Sequence, residues 1–195
     1  MKKNIKNLFY VLIFFFSSTH LLALEKNILK IGSDNAKVTV KVFSSLTCPH
    51  CANFHEKIFD DLKREYIDNK KVKFEHHSFP LDLAALNAEK ILRCTSDINL
   101  RFKLLSEIYK KQDSWAVGSD INKINNSLLE IGLGLNLDKT KMNICLNDEK
   151  IQEKILNERI AAQKKYKISS TPTIIINEKK YEDVHEFSNF KKKIE

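Results

Sequence analysis

Glycine and proline are scarce in this chain, four and three among 195 residues. That rules out a Pro/Gly-rich linker or low-complexity segment and makes each of the seven positions worth a local explanation. There is one tryptophan, and no segment repeats. Long apolar runs are also missing. The longest, 8–16, is nine residues, too short to cross a bilayer. Basic residues exceed acidic ones, 33 to 25, with a formal charge of +8. They do not cluster with interleaved aromatics, as a nucleic-acid surface would require. Lysines instead alternate with Glu and Asp along helical stretches, the pattern of a solvated surface. No nucleic-acid partner is expected.

What is present is 43% hydrophobic residues, ordinary for a folded protein, in a length that suits one domain carrying a large insertion. Lys2, Lys3 and Lys6 open the chain, the apolar run 8–16 follows, and Ser17, Ser18, Thr19 and His20 interrupt it before Ala23. A basic start, a short apolar core and a small residue predict a signal peptide over 1–23. Its alternative is an uncleaved anchor. Either way the body of the protein, 24–195, is expected outside the cytoplasm, in the periplasm, where disulfides persist.

Along the body, Val38, Val40 and Val42 alternate as a strand does. Phe54, Ile58, Leu62 and Tyr66 recur at helical spacing after Pro49, which a first helical turn tolerates. Val72, Phe74 and His76 alternate again against Lys73, Glu75 and His77. Strand, helix, strand is a βαβ unit. From 82 to 166 helical stripes dominate: Ala84, Ala88, Ile91 and Leu92; Leu100, Leu104, Leu105 and Ile108; Ile121, Ile124, Leu128 and Ile131; Ile151, Ile155, Arg159 and Ala162. Asp120 and Asp138 suit N-caps, and Gly132 with Gly134 suits a helix end. Thr173, Ile174, Ile175 and Ile176 then read as a buried strand, 179–182 as its hairpin partner, and Phe187, Phe190 and Ile194 as a closing helix. The fold class is α/β: βαβ and ββα around one mixed sheet, with an inserted all-helical subdomain over about 82–150.

Cys48-Pro49-His50-Cys51 lies between the first strand and the first helix. A cysteine at a helix start faces unpaired backbone N–H groups and the positive end of the helix dipole, and both favour thiolate. A second thiol one turn away can close a disulfide with it, which is redox chemistry without a cofactor. Cys48 is the expected exposed nucleophile and Cys51 the more buried resolving thiol. His50 can stabilise the Cys48 thiolate as a donor or, when charged, as a cation. A zinc site would need two more ligands. His76 and His77, adjacent on a strand, point to opposite faces, so no metal is expected and one histidine should be packed, the other solvated.

Cys48-Pro49-His50-Cys51, the helical insertion and Thr171-Pro172 together resemble the DsbA family of the thioredoxin superfamily, from about residue 34 to the C-terminus. The resemblance implies a thioredoxin-like fold and an enzyme, a protein disulfide oxidoreductase without cofactor. Pro49 and His50 would tune Cys48. Pro172, at the head of a buried strand, would be a cis-proline facing the redox pair, with the Thr171 backbone free to pair an extended substrate. Reduced or unfolded exported proteins would be the substrates, and a membrane quinone-linked oxidase the reoxidising partner. Disulfide isomerase or reductase is the second enzymatic reading. Such relatives commonly add an N-terminal dimerisation domain, for which the residues between 23 and 34 leave no room, so a monomeric oxidase is expected. A non-catalytic peptide-binding or chaperone module is the third reading.

Cys94 and Cys145 lie in the helical block, outside the redox motif. An even cysteine count in an oxidising compartment favours a disulfide between them, against two buried free thiols. The sequence departs from the superfamily pattern twice. Six residues before the first motif cysteine stands Val42, with Lys41 beside it, where many relatives carry a buried acid. After Ile176 the turn reads Asn177-Glu178-Lys179 instead of Asn-Gly, which suggests a hairpin longer than the tightest kind.

Overall fold

β-Branched alternation makes β2 (Val38–Ser44) and β3 (Val72–Ser78) the parallel centre of a five-stranded sheet, with Val40 opposite Phe74 and Val42 opposite His76. The computed structural model describes residues 28–195. The strand order is β1-β3-β2-β4-β5, where β1 is Leu29–Gly32, β4 Thr173–Ile176 and β5 Lys179–Lys180; every pairing other than β2 with β3 is antiparallel. The signal-peptide reading of 1–23 lies outside the described residues.

β1 is an addition to the expected βαβ, helices, ββα order. It is four residues long, with only Leu29 deeply buried, so its alternation is too brief to stand out in sequence. It ends at Gly32, whose φ of 104° and close approach to the Val72 carbonyl oxygen leave no room for a side chain.

The crossover from β2 to β3 is one long helix, α1. It starts as Pro49–Phe54, widens into a π-helical turn over His55–Phe59, returns to α over Asp60–Leu62 and widens again over Lys63–Ile67. The widening explains the four-residue stripe. In a pure α-helix a residue every four positions drifts about 40° per step. Wider turns reverse that drift, so Phe54, Ile58, Leu62 and Tyr66 all stay buried, at 4% exposure or less.

Between β3 and β4 lie six helices: α2 (Leu83–Leu92), α3 (Ile98–Lys110), α4 (Gln112–Trp115), α5 (Ile121–Leu133), α6 (Lys139–Leu146) and α7 (Glu149–Tyr166). Aspartates cap α2, α3, α5, α6 and α7 through Asp82, Asp97, Asp120, Asp138 and Asp148, each accepting a backbone N–H of the first turn. α8 (Phe187–Ile194) closes the chain. One sheet face, through Val40, Val42, Phe74, Ile174 and Ile176, packs with α1, α8 and most of the insertion. The other face, through Phe43 and Ile175, packs under Ala162 and Tyr166 of α7.

Two local expectations change. Gly134, not Gly132, caps α5; Gly132 lies inside the helix, where its missing side chain lets Met142 of α6 approach. The hairpin is not long: Ile176 pairs with Lys179, leaving the two-residue turn Asn177-Glu178, both at positive φ (47° and 67°). Tertiary contacts hold this turn. The Asn177 side chain accepts the Thr39 N–H at 2.8 Å, and the Glu178 carboxylate meets Lys41, Lys165 and the Tyr166 hydroxyl.

Candidate active site

The segment after β2 must turn sharply to start α1, and Cys48 makes the turn as its N-cap, with φ −84° and ψ 118°. Pro49 occupies the first helical position, where its missing N–H costs nothing. Cys51 falls one turn in, and its N–H and that of Ala52 both donate to the Cys48 carbonyl, at 3.0 and 3.2 Å. Cys48 is 9% exposed and Cys51 1%, both as free thiols. The first cysteine is thus the more accessible one but far from fully exposed. Pro49 and His50 lie on the surface.

The Thr171–Pro172 peptide is cis, and it carries Thr171 against the motif. The Cys48 thiol donates to the Thr171 carbonyl oxygen at 3.3 Å. The Thr171 hydroxyl is buried beside the pair and forms no hydrogen bond of its own. Once Cys48 ionises, donors surround it. The Cys51 thiol contributes most and burial opposes; the Thr171 hydroxyl and the backbone N–H groups of Cys51 and His50 add to it, and together they hold Cys48 at about 5 instead of 9.0. Burial, then the neighbouring Cys48 charge, pushes Cys51 the opposite way. One sulfur is therefore ready to react at neutral pH while the other keeps its proton. His50 takes part through its backbone N–H.

Several residues that anchor this site carried no sequence signal. Gln112 of α4, buried, donates to the Leu46 carbonyl at 2.7 Å and the Cys48 carbonyl at 3.2 Å. Asp82 caps α2 with one oxygen and accepts from the Thr47 hydroxyl with the other, both at 2.7 Å. The helical insertion thus grips the loop bearing Cys48 from two sides. His185, before α8, sits at the edge of Phe54 with ring centroids 6.3 Å apart; burial and then the facing His50 lower its pKa. A lone Gln or His has no periodicity or motif to mark it, and Asp82, which stands where an N-cap does, gives no local sign of its bond to Thr47.

Neither histidine of the β3 pair is solvated. His76 is buried against Glu89 at 2.9 Å; His77 stacks near Phe43, 4.6 Å between centroids, and bonds Glu75 at 3.0 Å. Both sheet faces are covered, so strand alternation no longer separates core from solvent. Among the described residues no group of His, Cys, Asp and Glu could hold a metal ion. Cys94 and Cys145 are joined as a disulfide, Cα atoms 5.9 Å apart, which ties the segment after α2 to α6 away from Cys48 and Cys51.

Comparison with known proteins gives this geometry relatives. A family model described as thioredoxin matches residues 25–195. A Rickettsia bellii protein, provisionally named a protein-disulfide oxidoreductase, is 32% identical over 154 residues, 79% of this chain and 58% of its own length. The chain therefore spans a little over half the length of such curated relatives. Disulfide bond formation protein D of Bacillus subtilis is 27% identical over 85% of the chain and 74% of its own length. Among solved structures, alpha-DsbA1 of Wolbachia pipientis is 29% identical, covers 86% of this chain and 89% of its own, and superposes with a TM-score of 0.79. The family match across the body of the chain and the shared helical insertion agree, and this chain belongs to the thioredoxin family as a DsbA-like member.

Proposed function

We propose that this protein is a thiol–disulfide oxidoreductase that oxidises thiols of other exported proteins through Cys48 and Cys51. One observation carries the reading: Cys48 is a helix N-cap whose thiolate gathers donors from Cys51, Thr171 and two backbone N–H groups. In the disulfide form a substrate thiolate attacks Cys48, giving a mixed disulfide and releasing Cys51. A second substrate thiolate then attacks the substrate sulfur, so the substrate leaves oxidised and the protein leaves as the dithiol. Stabilising the Cys48 thiolate stabilises the dithiol, which makes the disulfide a stronger oxidant. Pro49 and His50 shape that end of the helix. The cis Thr171–Pro172 segment offers backbone to an extended substrate, and Cys94–Cys145 is a structural bridge. The family kinship and the expected signal over 1–23 support work in the periplasm as a monomer, with a membrane quinone-linked partner restoring the disulfide.

Replacement of Cys48 by Ser should abolish oxidation of a reduced, unfolded substrate while the variant stays folded. Oxidation at the wild-type rate would defeat the assignment and leave a peptide-binding module. The isomerase or reductase reading separates by equilibrium with glutathione: an oxidising couple supports the oxidase, a thioredoxin-like one the reductase.

A further inference from the structure

Gln112 opens α4 and is 6% exposed, so it carries a primary amide into the core. Its Nε2 donates to the Leu46 carbonyl at 2.7 Å and to the Cys48 carbonyl at 3.2 Å. Both partners are acceptors only, which fixes the amide with its nitrogen toward the loop. The two carbonyls belong to the peptide planes that bracket Thr47 and Cys48. The second plane is the Cys48–Pro49 amide, which has no N–H, so its carbonyl is the one polar group by which a neighbour can hold it. Between the two planes the Thr47 side chain donates to Asp82, the cap of α2, at 2.7 Å. α4 itself is fastened to α3: Trp115, 1% exposed, donates its indole N–H to the Ile108 carbonyl at 2.8 Å.

We propose that Gln112 is a positioning residue for the exchange reaction: by holding the two peptide planes that bracket Thr47 and Cys48, it fixes the backbone from which the Cys48 sulfur meets its donors. The inference rests on Cys48 and Cys51 being the exchanging pair. Gln112 acts through the φ of −84° and ψ of 118° that make Cys48 an N-cap. An N-cap side chain accepts from the N–H groups two and three residues on, here those of His50 and Cys51. Those bonds form only when the chain enters the helix at the right angle. The Cys48 carbonyl also accepts from the N–H groups of Cys51 and Ala52, at 3.0 and 3.2 Å, but these belong to α1 and move with it. Gln112 ties the same oxygen to the insertion. In the release step the second substrate thiolate bonds to the first substrate sulfur. The bond from that sulfur to Cys48 breaks, and its electron pair goes to Cys48. Donors already oriented stabilise that charge without reorganising, whereas a loose loop would have to find the geometry in every cycle.

Gln112→Met keeps the length of the side chain and removes both N–H donors. The midpoint of the Cys48 alkylation profile should then rise by about one pH unit. The equilibrium of the couple with glutathione should move about tenfold toward the disulfide form, which is the same loss of thiolate stabilisation read a second way. Asp120→Ala, which weakens the fold at the start of α5, should leave both readouts unchanged, so lost stability alone does not give this pattern. If Gln112→Met does not fold, Gln112→Asn, which holds the amide one methylene short of both carbonyls, carries the same test. A variant that alkylates and equilibrates as wild type, while Cys48→Ser is inactive, overturns this inference and leaves the exchange reading standing. Activity retained in Cys48→Ser overturns the exchange reading itself.

Discussion

Cys48 and Cys51 are separated by two residues, yet opposite forces act on them. Cys48 gathers donors at the open end of a helix; Cys51 lies under the chain and loses solvation. A thiol held at about 5 instead of 9.0 has a consequence for stability. An acid whose value is depressed on folding contributes stability that is complete above its unfolded value and fades as pH falls through its folded one. The stability of the dithiol form relative to the disulfide form, in which Cys48 does not titrate, should therefore decline as pH drops from about 8 to about 5 and level off below. Denaturant unfolding of both forms across that range tests this. A constant difference would show that the folded dithiol does not favour the Cys48 thiolate. The motif and its helix start are legible in sequence. So is the order of burial, with Cys51 deeper than Cys48; the Thr171 contacts are not, because they come from a segment 123 residues away that only the family resemblance pointed to.

At the scale of elements, local chemistry was most readable where it acts within one turn. Asp120 and Asp138 cap helices because a short carboxylate reaches backbone N–H groups two or three residues ahead. Asp120→Ala should lower global stability by about 1 kcal/mol in denaturant unfolding with little change in the slope against denaturant; an unchanged midpoint would mean that the cap is replaced by water at no cost. Local chemistry misled where a neighbour intervened. Asn177-Glu178 adopts the tightest hairpin without glycine because Thr39, Lys41, Lys165 and Tyr166 hold it from outside the turn. Gly132 serves Met142 on the next helix, not the end of its own.

The whole molecule is a sheet domain gripped by the insertion that interrupts it. Gln112 and Asp82 reach from the helices to the loop bearing Cys48. The Cys94–Cys145 bridge, with a sequence separation of 51, holds two insertion segments together. Replacing both cysteines by Ser should cost up to about 4 kcal/mol in the chain-entropy account, less where the unfolded chain retains structure. The reactivity of Cys48 should not change. Unfolding and alkylation of the double variant check both parts, and a shift in Cys48 reactivity would mean that the bridge transmits to the loop bearing Cys48. Beneath the sheet, Glu89 is buried between His76 at 2.9 Å and Ser78 at 2.7 Å, while Arg93 joins Ser78 to Glu158. No periodic pattern foretells a charged group inside a core, since its cost is met only by partners from other elements.

The sequence by itself determined the Cys48-Pro49-His50-Cys51 motif at a helix start, the order of the main strands and helices after β1, the insertion and two of the five aspartate caps. These follow from spacing and from side chains acting on their own backbone. Tertiary structure alone decided which donors meet each sulfur, where the buried acids sit and that Asn177-Glu178 closes in two residues. Those outcomes depend on which distant segments share one small volume, and solvation and hydrogen bonding there are set by the neighbours rather than by the chain order.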